Sequence, residues 1–231
     1  MIEANNINLK SWVDVPLGHN FPIQNLPFGI FSTFDRSARP GVAIGDSVLD
    51  LKALSEAGFL DSLDFDKSDF SASTLNSIVN KGKAATSALR NRVSELLRSD
   101  STELRDSDYA KSCLVSMVDV DMHIPIEVGD YTDFYSSEDH AKNVGKMFRD
   151  PDNALLPNWK HMPVAYHGRA SSIVVSGTPV TRPHGQLKPV ENQPPVYGPS
   201  RLLDFELEMA FITHPGKVLG KTISTSEAED Y

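Results

Sequence analysis

The sequence predicts a mixed, mainly β protein in two parts: a small mixed N-terminal domain over residues 1–117 and a β-leaning segment over residues 118–231. Three observations carry this reading. Two β-prone runs meet at Gly45-Asp46, the pattern of a hairpin. A helical stripe runs between Leu75 and Leu97. From about Val118 onward Pro, Gly, aromatic and β-branched residues become frequent, a mixture that favours strands and turns over helix.

Residues 1–30 are rich in Pro and Asn with scattered apolar positions, and read as irregular chain or short strands. Gly41–Ile44 and Ser47–Leu51 are the hairpin arms. Leu60–Phe70 mixes Asp with apolar residues and reads as a loop or short helices. In the stretch 75–97, Ile78, Ala85, Leu89, Val93 and Leu96 recur at helical spacings. The stripe suits a core-facing helix, with a partner-binding face as the alternative. Thr74 is placed to cap it, and Gly82 to interrupt it. Residues 99–117 are polar and read as a linker or surface helix. Strands are expected at Val118–His123, Ile173–Val175 and Leu203–Ile212. There is no internal repeat and no low-complexity tract.

Of the 231 residues, 40% are hydrophobic and 23% charged, which is globular usage and excludes a wholly disordered chain. Lys and Arg number 22 against 31 Asp and Glu, a formal charge of −9. That balance argues against nucleic acid and anionic membranes as partners. A small anionic substrate stays open, since one or two Arg suffice to hold it. Cys113 is the single cysteine, so an intramolecular disulfide and a multi-Cys zinc site are excluded. The N-terminus shows no basic stretch followed by an apolar run. No apolar run approaches the ~18 residues of a membrane span. The expected location is cytoplasmic.

Two stretches point to chemistry. In Leu203–Phe211, apolar Leu203, Phe205, Leu207, Met209 and Phe211 alternate with Asp204, Glu206 and Glu208. On a strand these acids share one face. Glu206 and Glu208 can converge on a hard cation such as Ca²⁺ or Mg²⁺; a solvated acidic face is the other reading. In Gly129–His140, Ser136 and Asp139 have capping-box spacing. A helix starting there puts His140 in its first turn, where the dipole favours the neutral ring a general base needs. An ordinary exposed histidine fits equally. Asp133 lies close enough in sequence to join a cation site, but spacing alone does not bring it to Glu206 and Glu208. Arg149 follows His140 by nine residues, so the two share a site only if the helix ends near Gly145. The Pro- and aromatic-rich stretch Asn153–Arg169 suits a pocket wall or a self-packed loop.

Over Phe21–Gly29, Gly129–Arg149, Asn153–Gly177 and Arg201–Phe211 the sequence resembles the fumarylacetoacetase family of hydrolases. The resemblance runs from about Phe21 to Tyr231 and is least distinctive over 52–117. It implies an SH3-like N-terminal domain before a β-roll catalytic domain, and a homodimer. It also implies a Ca²⁺ or Mg²⁺ site on Asp133, Glu206 and Glu208, with His140 as the base that activates water. Tyr135, Arg149 and Tyr166 would hold the substrate, a β-diketo acid. The implied reaction is hydrolytic carbon–carbon cleavage of 4-fumarylacetoacetate to fumarate and acetoacetate, the last step of tyrosine breakdown. Relatives of the same fold with other chemistry, such as acylpyruvate hydrolases, usually lack the Phe21–Gly29 signature.

One departure stands out. Family chains are longer, and a fourth ligand, the oxyanion-site residues and the acid that orients the histidine follow the point where this sequence ends. The expectation is a truncated form, with only the first part of the β-roll and with unpaired strand edges. It is either an enzyme of this family or a catalytically inactive remnant of one.

Overall fold

A computed structural model describes residues 3–162 and 164–231. They fall into two compact units. One is built from the chain up to Pro125 and from Val175 to Tyr231, the other from Ile126 to Val174.

In the first unit, strands β1 (Phe28–Ser32), β2 (Arg39–Ile44) and β3 (Ser47–Asp50) form an antiparallel meander. The expected hairpin is there. Gly45 makes its turn at φ +51°, and a side chain at that position would fall 2.5 Å from the Asp14 carbonyl oxygen, so glycine is required. The second arm stops at Asp50 rather than Leu51, because Asp50 caps helix α1 (Leu51–Glu56) through the Ala53 amide.

The helical stripe forms α2 (Asn76–Asn80) and α3 (Gly82–Leu97), interrupted at Gly82 with φ +84°. Leu89, Val93 and Leu96 are fully buried, so the face enters the core. Thr74 does not cap: Leu75 occupies that position and makes no side-chain bond.

Residues 99–117 are not a linker. Leu104 and Cys113 are fully buried, α4 (Ala110–Cys113) leads into β4 (Leu114–Ser116), and β4 pairs with β3. Burial pushes the Cys113 thiol up to about 11. A 3₁₀ turn at Met117–Asp119 then carries the chain to β5 (Asp121–His123), the realised part of the strand expected from Val118. β5 pairs antiparallel with β1. The sheet order is β4-β3-β2-β1-β5.

Both faces of this sheet bury apolar residues. Ile30, Val42 and Leu49 lie on one, Phe31, Val48 and Val115 on the other. Gly41 leaves the space that Phe31 and Val48 fill, since a Cβ there would meet them at 2.6–2.8 Å. The Pro- and Asn-rich start is anchored to α3. Trp12 donates to the Leu96 carbonyl at 2.8 Å, and Arg90 to the carbonyls of Gln24 and Leu26 at 2.8 and 3.0 Å.

In the second unit, β6 (Thr132–Phe134), helix α5 (Glu138–Phe148) and β7 (Ala165–His167) follow in order, and β6 pairs antiparallel with β7. Ile173–Val175 forms no strand; a 3₁₀ turn at Ala170–Ser172 runs into it. Back in the first unit, β8 (His184–Leu187) and β9 (Val196–Pro199) make a hairpin.

Leu203–Ile212 forms neither strand nor helix. Alternation sorts side chains onto two faces, but a ladder also needs a neighbouring backbone, and none of the described strands pairs with this segment. Phe205, Leu207 and Met209 are 88%, 92% and 92% exposed. Among the described residues no helix is long and apolar enough to cross a membrane.

Asp50 is 1% exposed. It caps α1 through one carboxylate oxygen and accepts from Arg36 at 2.8 Å through the other. Losing the cap costs about 1 kcal/mol, and the Arg36 left behind is a quarter exposed and keeps the Ser112 carbonyl as acceptor. Asp50→Ala is therefore expected to lower unfolding free energy by about 1–3 kcal/mol, and Asp50→Asn, which keeps an acceptor for the cap, by less. Urea titration of both variants reads the difference.

Candidate functional site

Asp133, Tyr135, His140, Arg149 and Tyr166 all belong to the 126–174 unit. Asp133 sits at the middle of β6 and Tyr166 at the middle of β7, directly opposite each other. Opposed residues of an antiparallel pair share a face. The Tyr166 hydroxyl donates to Asp133 Oδ2 at 2.6 Å, the short distance of a bond to a charged acceptor. The ladder continues past the strand ends, because the Gly168 amide donates to the Tyr131 carbonyl at 2.6 Å. A Cβ on Gly168 would fall 2.4 Å from the Tyr131 ring, so glycine lets the two chains close.

Helix α5 begins one residue later than the capping-box spacing predicts. Ser137, not Ser136, is the cap, and its hydroxyl accepts from the His140 amide at 3.3 Å. His140 therefore lies in the first turn, as expected, and is half-buried. The Tyr135 ring meets the His140 ring edge-on, with centroids 5.0 Å apart. Glu138, also in the first turn, bonds Lys142 at 2.6 Å and Lys160 at 3.1 Å. Lys142 first and Lys160 second hold its carboxyl below the usual glutamate range.

The helix does not stop at Gly145. It runs to Phe148, and Arg149 is the extended residue that closes it. Gly145 has a different duty, because a Cβ there would lie 2.2 Å from the Ala154 carbonyl oxygen. The turn at Pro151–Asn153 thus packs directly on the helix backbone. Arg149 Nη1 donates to that same Ala154 carbonyl at 3.2 Å, and the residue is exposed.

Glu206 and Glu208 belong to the other unit. Both are exposed, on the irregular segment described above. A cavity of about 590 Å³ in that unit is lined largely by Leu75, Ile78, Val79, Leu89, Phe211 and Ile212, and none of the seven candidate residues lines it. Sequence reasoning missed the Asp133–Tyr166 bond. Strands of three residues carry no readable period, and only the resemblance drew attention to Tyr166.

Comparison with known proteins decides the family. The family model described as Fumarylacetoacetase N-terminal matches residues 24–125, and the one described as Fumarylacetoacetate (FAA) hydrolase C-terminal matches residues 130–231. The chain belongs to the fumarylacetoacetase family. The sequence reading divides the chain at 117/118, while the two family matches divide it between 125 and 130.

Similar relatives of this family are the Homo sapiens fumarylacetoacetase, 49% identical over 96% of this chain and 53% of its own length, and the Arabidopsis thaliana one, 49% identical over 96% and 54%. The Oryza sativa subsp. japonica relative is 47% identical over 100% of this chain and 55% of its own length. The chain thus spans about half the length of the curated relatives it matches.

Gly145→Ala tests the packing of α5 against its following turn. Alanine gains roughly 1 kcal/mol in helix propensity, but overpacking against a backbone oxygen costs about 1–3 kcal/mol. At 2.2 Å the clash wins, so the variant is expected to unfold at lower urea. An unchanged or raised midpoint would mean that the turn does not press on the helix.

Proposed function

We propose that this chain carries the N-terminal domain and a catalytic segment of a fumarylacetoacetase, the enzyme activity being hydrolytic cleavage of a carbon–carbon bond in 4-fumarylacetoacetate. One observation carries the reading. All seven candidate residues lie inside the single match to the hydrolase C-terminal family model over residues 130–231. The finer fold terms belong here as well. An SH3-like N-terminal domain is supported by a five-stranded antiparallel sheet in which a 3₁₀ turn joins β4 to β5 and β5 returns to β1. The β-roll, the homodimer, the cytoplasmic location and the place in tyrosine breakdown rest on family membership.

Asp133, Glu206 and Glu208 would hold the divalent cation. All are carboxylates, the hard oxygen donors that Ca²⁺ and Mg²⁺ take, and the Tyr166 hydroxyl engages one oxygen of Asp133. A bound cation would stabilise negative charge developing on the diketone oxygens. His140 takes the proton of water as the water oxygen bonds to the carbonyl carbon. The carbon–carbon bond then breaks, its electron pair leaves with the acetoacetate carbon, and that carbon is protonated. Its place in the first turn of α5, with the Tyr135 ring edge-on to its own, supports His140 in this role. Arg149 spends one guanidinium N–H on Ala154, and its other donors, with the hydroxyl of Tyr135, suit a substrate carboxylate; the Tyr166 hydroxyl, whose proton goes to Asp133, would meet the substrate only as an acceptor.

A catalytically inactive form is the second reading, favoured by the exposed Phe205, Leu207 and Met209 beside Glu206 and Glu208. The test is incubation of the 231-residue chain with fumarylacetoacetate and Mg²⁺ or Ca²⁺, following loss of substrate. Turnover above the buffer blank, falling by about 100-fold or more in His140→Ala, is expected of the enzyme. Turnover equal to the blank selects the inactive form.

A further inference from the structure

We propose that Tyr166 is a positioning residue for Asp133. Its hydroxyl fixes the plane of the Asp133 carboxylate and turns the second oxygen toward an incoming cation. The inference rests on Asp133 being a cation ligand, and it assigns Tyr166 a duty that precedes substrate.

A carboxylate on an unrestrained side chain turns about its terminal torsion, which is broad and roughly two-fold. Here the backbone of Asp133 is fixed by pairing with β7, and its register partner is Tyr166 itself. The phenol is rigid beyond its two side-chain torsions. A 2.6 Å bond to Oδ2 therefore defines where Oδ1 points. Both residues take part in the same ladder, so the orientation is imposed by the sheet. Tyr166 is 62% exposed, and a bond so open to water adds little to folding stability. Its consequence is orientation. Partners that orient a metal ligand in this way are typically worth about 10–100-fold in metal affinity or activity.

Substrate holding and ligand positioning separate when substrate is absent. Ca²⁺ binding to the 231-residue chain, measured by titration calorimetry without substrate, is compared with binding to Tyr166→Phe and Asp133→Asn. Tyr166→Phe removes one hydroxyl and keeps the ring. Its far-ultraviolet dichroism and melting point, which positioning does not require to change, check that the fold persists. The expected result is loss of binding in Asp133→Asn and an affinity about 10-fold or more weaker in Tyr166→Phe. Equal Ca²⁺ affinity in the native chain and in a folded Tyr166→Phe, with binding lost in Asp133→Asn, overturns the positioning role alone. No Ca²⁺ binding by the native chain overturns the assignment of Asp133 as a ligand, and the positioning role with it.

Discussion

The arrangement of the candidate site depends on the register of one short antiparallel ladder, Thr132–Phe134 against Ala165–His167. Because side chains alternate with period two, a slip of one residue would send Asp133 to the opposite face from Tyr166. Several features hold the register. The Gly168 amide extends the ladder past its end and tolerates no side chain against Tyr131. Between the strands, α5 is started by Ser137, and it is closed against the Ala154 carbonyl through Gly145 and Arg149. Each of these contacts is local, and together they bring an acid and a phenol from positions 33 residues apart into one bond.

The larger unit shows the same rule from both sides. Segments that find a neighbouring backbone become strands, as Leu114–Ser116, at the end of the polar stretch 99–117, does beside β3. Leu203–Phe211, with far clearer alternation, joins none of the described sheets and stays exposed. Pairing, rather than local pattern, decides which segment becomes a strand. The buried Asp50, at the end of β3, ties helix α1 and Arg36 together.

What was legible in the sequence follows from this. The Gly45 turn, the buried stripe of α3 and the break at Gly82 were readable, because each is dictated by residues a few positions apart. The first turn of α5 was readable too, but with Ser136 and Ser137 adjacent, the choice of cap depended on backbone geometry. β4, β6 and β7 were not readable: three residues carry no period, and their partners lie far away in sequence. Arg149 was tied to a helix end at Gly145. Gly145 is instead required for close packing, which composition cannot distinguish from a stop. Of the candidate residues, Asp133 and His140 were singled out by acid chemistry and helix position, whereas Tyr135 and Tyr166 rested on resemblance alone.

The most direct test of this account is the backbone register of β6 and β7 in solution, read from cross-strand nuclear Overhauser effects on isotope-labelled chain. The account predicts backbone contacts of Asp133 with Tyr166, of Thr132 with His167, and of Phe134 with Ala165. Contacts of Asp133 with Ala165 or His167 as its direct partner, or no contacts between the two segments, would contradict it.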